Sequence, residues 1–376
     1  MMVSIIPCFI EGYSIFSYSD KRRILRMAKL STHKTLIVML ILAMLSIGLV
    51  PTAFAQDGPF RVAAVAPSAT NDLAFSQSMF DALTKIQEEL GEDNFEFVFQ
   101  DGTFIVDDAA VALRDWASSG DFDLVIAHGS QFGSILEELA PEFPEVSFAW
   151  GTDQNTFGLD NVFAYTAAAE QGGYINGAIA AGMTETGVIG VVGPIEVGDA
   201  KLYVDGFVAG VAATNPDVTV NVTWIQSFSD VPLATEAAET LIANDADVLT
   251  GTAQMVVGPI AVATENDLPW FGTQSSQADL AGDDGVLFQI YRWDVVLKDM
   301  IEQIQNGTLG GESFVISLEN GGIEMEIDPD RFGDDADALA AFEEQVNALV
   351  DGIVSGEIVI FPDEAAEPAA TEEVEG

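Results

Sequence analysis

The chain has 376 residues, with 13 Lys and Arg against 60 Asp and Glu, a formal charge of −47, and one cysteine, Cys8. A field of that sign repels nucleic acid and anionic membrane surfaces, so neither is expected as a partner. A lone cysteine this close to the start excludes a disulfide framework, a thiol nucleophile and a Cys-based metal site in the body of the chain.

Residues 28–55 read AKLSTHKTLIVMLILAMLSIGLVPTAFA. Lys29 and Lys34 precede an apolar run from Leu36 to Val50, and Ala53-Phe54-Ala55 places small residues at both specificity positions before Gln56. This pattern is that of a secretory signal peptide cleaved after Ala55, with Met27 a candidate start and residues 1–55 forming the leader. The run is short of the ~20 residues that a membrane span needs. No cysteine stands at the cleavage point, so a lipid anchor is not expected. Six of the basic and two of the acidic residues precede Gln56, which leaves −51 on the remaining 321 residues. That length suits two lobes, and the acidity suits a soluble protein in salty or cation-rich surroundings.

Hydrophobic patterning predicts a buried strand at 60–67, a helix at 72–90, a strand at 95–99, a helix at 106–116, a strand at 123–127 and a helix at 134–140. Strands at 146–150 and 162–165 follow. A second cycle opens with a helix at 167–183 that carries Gly172, Gly173, Gly177 and Gly182. Strands are then expected at 188–192, 218–225, 247–249, 270–272 and 286–290, with helices at 200–213, 233–243 and 256–265 between them. The last part reads as a helix at 295–305, a hairpin over 314–327, a helix at 336–350 and a strand at 358–361. Residues 362–376 are acidic, poor in large apolar groups and expected to be disordered. Alternation of this kind predicts an α/β fold of two lobes, 56–166 and 167–290, each a parallel sheet flanked by helices. Segments from 291 to 361 would complete both lobes, and ligands would sit in a cleft at the carboxyl ends of the strands.

Enzymatic chemistry finds little footing. His128 is the only histidine after Gln56, there is no G-x-S-x-G elbow, and one His without Cys does not make a usual zinc site. Neither a catalytic residue, a metal nor a cofactor is therefore expected. Gly193 to Gly198 has phosphate-loop spacing, but Asp199-Ala200 stands where Lys and Ser/Thr are required, so the segment reads as a strand-to-helix loop with Asp199 capping the helix. Asp328 to Asp335 hints at a calcium loop but places Phe332 and Leu339 at ligand positions. What remains is aromatic and amide-rich. Asn71 to Leu83 and Trp224 to Asp230 both follow predicted strands, where Phe80 and Phe228 could cover the two faces of a planar ring. Gln131, Gln254 and Gln274 sit after other strands, and amides suit the edge of a heterocycle.

These segments resemble the basic membrane protein family of ABC-transporter substrate-binding proteins, which includes purine nucleoside receptors. Asp72, Phe75, Gln77, Ser78, Phe80 and Leu83 match its first loop; Gly206-Phe207 with Gly210 matches a central motif; Trp224 to Asp230 and Ala246-Asp247-Val248 match later ones. The resemblance implies a periplasmic-binding-protein type I fold without enzymatic activity, a purine nucleoside or nucleobase as ligand, an ABC permease as partner, and a monomer outside the cytoplasm. It implies Phe80 and Phe228 as a base sandwich, with Asp72, Ser76 and Asp230 as polar contacts. Tyr291-Arg292-Trp293 resembles a Trp-bearing subgroup associated with free bases. Gln274 stands where the family has an Asp expected to hold sugar hydroxyls, which tilts the expectation toward a base. A sensory or surface receptor without transport, or a nucleoside-processing enzyme, are the alternatives.

Overall fold

The computed structural model describes residues 58–362. The predicted leader with its cleavage site, and the acidic tail beyond residue 362, lie outside the described residues. The first five strands are β1 (Phe60–Val65), β2 (Phe95–Gln100), β3 (Leu124–His128), β4 (Ser147–Gly151) and β5 (Val162–Ala167), with helices α1 (Phe75–Leu90), α2 (Val106–Ser119) and α3 (Gly133–Leu139) among them. Helix α4 (Ala169–Met183) then opens the second cycle. It comprises β6 (Val188–Gly193), α5 (Gly198–Thr214), β7 (Thr219–Trp224), α6 (Val231–Ala243), β8 (Val248–Gly251), α7 (Val257–Glu265), β9 (Trp270–Gly272), α8 (Ala278–Ala281) and β10 (Gly285–Tyr291). The last part is α9 (Trp293–Gln305), β11 (Ser313–Ile316), β12 (Ile323–Ile327) and α10 (Ala336–Val354).

Two six-stranded sheets result, in the orders β11-β5-β4-β3-β1-β2 and β12-β10-β9-β8-β6-β7. Every pairing in the first is parallel, and in the second only β12 runs antiparallel, along β10. Helices cover both faces, so the central strands β3, β4 and β10 are buried at every residue, whereas the edge strands β2 and β7 are partly exposed. Two expected elements differ. The segment 314–327 is not a hairpin: β11 extends the first sheet at β5, and β12 extends the second at β10. Each strand covers an open sheet edge instead of pairing with its neighbour. Residues 358–361 form no strand; the Ile358 N–H donates to Gly352 O at 2.9 Å and closes the end of α10.

The glycines predicted in the second cycle's first helix have a packing reason. A Cβ on Gly173 or Gly177 of α4 would strike the carbonyls of Tyr203 and Phe207 on α5. In return, a Cβ on Gly206 or Gly210 would strike the carbonyls of Glu170 and Tyr174. The two helices touch backbone to backbone, a separation that only glycine on both sides permits. This contact ties the chain's crossover after β5 to the body of the second lobe.

Candidate functional site

The carboxyl ends of both sheets face one cavity of about 650 Å³, counted with its opening to solvent. Its walls come from the segments that follow strands: Ala74 and Phe75 after β1, Gly129 to Gln131 after β3, Thr152 after β4, Asp199 and Ala200 after β6, Phe228 after β7, Thr252 to Gln254 after β8, and Thr273 and Gln274 after β9. Tyr291 ends β10 in the wall, and Phe104, 60% exposed, marks the rim. Three non-glycine residues in these loops have positive φ: Leu73 at 56°, Gln226 at 58° and Ala253 at 71°. Such conformations are sparsely populated and are held only where the surroundings over-determine them.

Asp72 supplies much of that determination in the first lobe. Its carboxylate accepts the N–H groups of Ala74 (2.9 Å), Ser76 (3.1 Å) and Gln77 (3.1 Å) and the Ser68 hydroxyl (2.6 Å). Ser76 is fully buried and bonded through its hydroxyl to Ser68. Neither side chain reaches the cavity wall; both fix the loop that delivers Phe75. Phe80 is also absent from the wall. Its ring packs edge-on against Phe97 and Phe99 of β2, at 5.8 and 5.5 Å. Five residues along a helix is a rotation of about 140°, so Phe75 and Phe80 point to different sides of α1. The aromatic residue that the first lobe presents is therefore Phe75.

Phe75 sits on a built platform. Its ring stacks on His128 at 3.9 Å and 9°, and His128 stacks on Tyr165 at 5.9 Å and 10°. Trp293, fully buried, meets all three rings edge-on and donates its indole N–H to Ser78 Oγ at 2.9 Å. Trp293 thus lies behind the site and not in its wall. His128 Nε2 faces the Phe75 carbonyl at 3.2 Å and must carry the ring proton, so Nδ1 accepts the Tyr165 hydroxyl at 2.8 Å. Burial pulls the pKa of His128 down to about 3, so it stays neutral. Both nitrogens are engaged in holding Phe75, which leaves His128 no base role.

The second lobe contributes Phe228, Gln254 and Gln274 to the wall; Asp230 instead caps α6, accepting the Leu233 N–H at 3.0 Å, and is exposed. Hydrogen bonds cross the cleft. Gln254 Nε2 donates to Ser68 Oγ at 2.9 Å, and Gln277 Nε2 donates to Leu73 O at 3.0 Å. The lobes are closed on one another through groups that also shape the cavity. Asp199, expected as a helix cap, does not cap: the position belongs to Val197, and Asp199 lies in the first turn of α5 with its side chain in the cavity wall. Its carboxylate accepts a long bond from Thr152 Oγ1 across the cleft at 3.5 Å. Burial pushes its pKa up to about 6, against the lowering effect of the Asp199 and Ala200 N–H groups and of Thr152. Among the described residues, no Lys, Arg or His lines the cavity.

Two lobes closing over a cavity at the carboxyl ends of their strands make a site for a small solute. The chain belongs to the family described as ABC transporter substrate-binding protein, PnrA-like (Bmp), whose model matches residues 60–360. Members of that family are extracytoplasmic. A purine-binding protein of Brucella abortus is 26% identical over 254 residues, covering 68% of this chain and 71% of its own length. A Haloferax volcanii protein named for glucose binding in an ABC transporter is 25% identical over 233 residues, 61% of this chain and 58% of its own. Among solved structures, a solute-binding protein from Conexibacter woesei is 25% identical with a TM-score of 0.65, covering 80% of this chain and 98% of its own. One from Aeropyrum pernix, 21% identical with a TM-score of 0.69 and covering 80% and 93%, shares the fold.

Proposed function

We propose that this protein is exported, with its leader removed after Ala55, and that as a monomer it delivers a purine base, free or as a nucleoside, to an ABC permease. The observation that carries the reading is an aromatic residue from each lobe, Phe75 and Phe228, in the wall of one cavity. One face of Phe75 is taken by His128, so a planar ligand would use the other. Each ring face stacked on an aromatic side chain contributes about 1–3 kcal/mol. Gln131, Gln254 and Gln274 supply amides for the polar edge of a heterocycle. Gln274 is an amide and not an acid, which favours a base over a sugar-anchored nucleoside. The Brucella relative's name points the same way, and the Haloferax relative's name points to hexoses as the rival.

A ligand that binds the closed form alone draws the open–closed equilibrium toward it. Affinity is expected to be micromolar or tighter, about −8 kcal/mol or more favourable. Thermal unfolding against purine bases, nucleosides, hexoses and amino acids tests this. A ligand at 100 times its dissociation constant adds about 2.7 kcal/mol of stability. A shift with purines supports the proposal, and a shift with glucose alone removes it while leaving the solute-binding class in place.

A further inference from the structure

Besides the Gln131 and Gln274 amides, the cavity wall holds two acceptors that lack a matching donor. Asp199 presents a carboxylate whose one side-chain partner among the described residues is the long bond from Thr152, and no cation among them lines the wall to balance it. Gln254 has spent its N–H on Ser68, while its carbonyl oxygen, buried, has no hydrogen-bond partner. These two acceptors come from separate loops, after β6 and after β8, and both belong to the second lobe. A carboxylate without a counter-charge, beside a carbonyl oxygen without a partner, is costly to keep inside a closed cleft. It becomes favourable when the ligand brings donors.

We infer that Asp199 is a specificity-determining residue that pairs with two adjacent N–H donors on the ligand's ring edge, the arrangement of a 2-amino-6-oxopurine. The inference rests on the purine reading above and adds which purine is preferred. A carboxylate has two oxygens in one plane, and the ring N–H and neighbouring amino group of a guanine-type edge meet both in parallel. A 6-oxopurine without the 2-amino group fills only one. A 6-aminopurine presents no ring N–H beside its amino group. The Gln254 oxygen is a further acceptor, available to another donor on the same ligand. Burial raises the Asp199 pKa, and paired donors would favour its ionised form.

The test is calorimetric titration of the purified protein and of Asp199→Asn with guanine against hypoxanthine and guanosine against inosine. Each pair differs only by the 2-amino group. The wild-type protein is expected to prefer the 2-amino member by about tenfold to a hundredfold, as for a bidentate contact against a single one. D199N, equal in shape, should bring the two members to within about threefold of each other. A single cooperative thermal transition, at or above the wild-type midpoint, shows that the variant is folded. If purines bind without discrimination, or if D199N leaves the ratio intact, the Asp199 assignment is wrong and the purine reading survives. If D199N weakens guanosine and inosine equally and spares the bases, the carboxylate holds ribose and the assignment is again wrong. If no purine binds, both readings fall.

Discussion

A carboxylate kept in a cavity without a cation should destabilise the unliganded fold, and its removal should show by how much. Replace Asp199 with Asn, which keeps the shape and removes the charge. In the unfolded chain the carboxyl titrates near its ordinary value of 3.8, and in the folded protein burial pushes it up to about 6. That separation corresponds to an upper bound of about 3 kcal/mol. Asp199 is only half-buried and screened by solvent at the cavity mouth, so a difference of about 1–2 kcal/mol is the better expectation. The sign follows from proton binding. Between the two pKa values the folded protein holds a proton that the unfolded chain has lost, so wild-type stability falls as pH rises through this window. Below it the acid is neutral in both states and imposes no penalty. The titratable group that Asp199 influences from another element, Tyr291 on β10, stays protonated and neutral throughout, since burial raises its pKa. Urea unfolding of both proteins from pH 4 to pH 8 measures this. D199N should match the wild type at pH 4, gain between pH 4 and 6.5, and hold its advantage above that. A difference that does not vary with pH would refute the assignment of a buried, unbalanced charge.

Three further outcomes follow from the geometry. Phe75→Ala and Phe228→Ala should each weaken purine binding by about 1–3 kcal/mol in titration calorimetry, while Phe80→Ala, whose ring packs on Phe97 and Phe99, should lower stability and leave affinity within about twofold. Gly177→Ala would gain up to about 1 kcal/mol in an open helix, but here the new Cβ strikes the Phe207 carbonyl, so a net loss of about 2 kcal/mol in urea unfolding is expected. Asp294, 2% exposed, accepts from Lys85 (3.0 Å), Arg292 (3.0 Å) and Lys298 (3.1 Å); Asp294→Asn removes their one buried counter-charge, leaving only the exposed Glu89 and Glu324, and should cost about 2–3 kcal/mol, measured as a lowered denaturation midpoint.

Strand and helix alternation was legible because buried parallel strands read as short apolar runs between turn residues. The same order placed the loops after β1 and β7 at the carboxyl ends of strands, and Phe228, Gln131, Gln254 and Gln274 do line the cavity. Phe75 was missed in favour of Phe80 because a motif gives the loop but not the rotation of the helix that leaves it. The first helical residue, beside the strand end, was the geometric signal. Asp199 was read as a cap because acids in a helix's first turn are common. Only the second lobe's closure onto Thr152 shows that it faces the cleft. Trp293, Asp72 and Ser76 were legible as important, but they act from behind the wall, where periodicity and spacing carry no information. The pairing of β11 and β12 with separate sheets was hidden because two adjacent short strands look alike whether they pair with each other or with distant edges.

The proposed function requires a purine ring between the two lobes. A crystal structure of the protein grown with the tightest-binding purine tests it directly. The ring is predicted to lie between the Phe75 and Phe228 side chains, with Phe80 remote and the Ser68–Gln254 bond intact. A ligand seated anywhere else, or a hexose retained in the cavity in place of the purine, would contradict it.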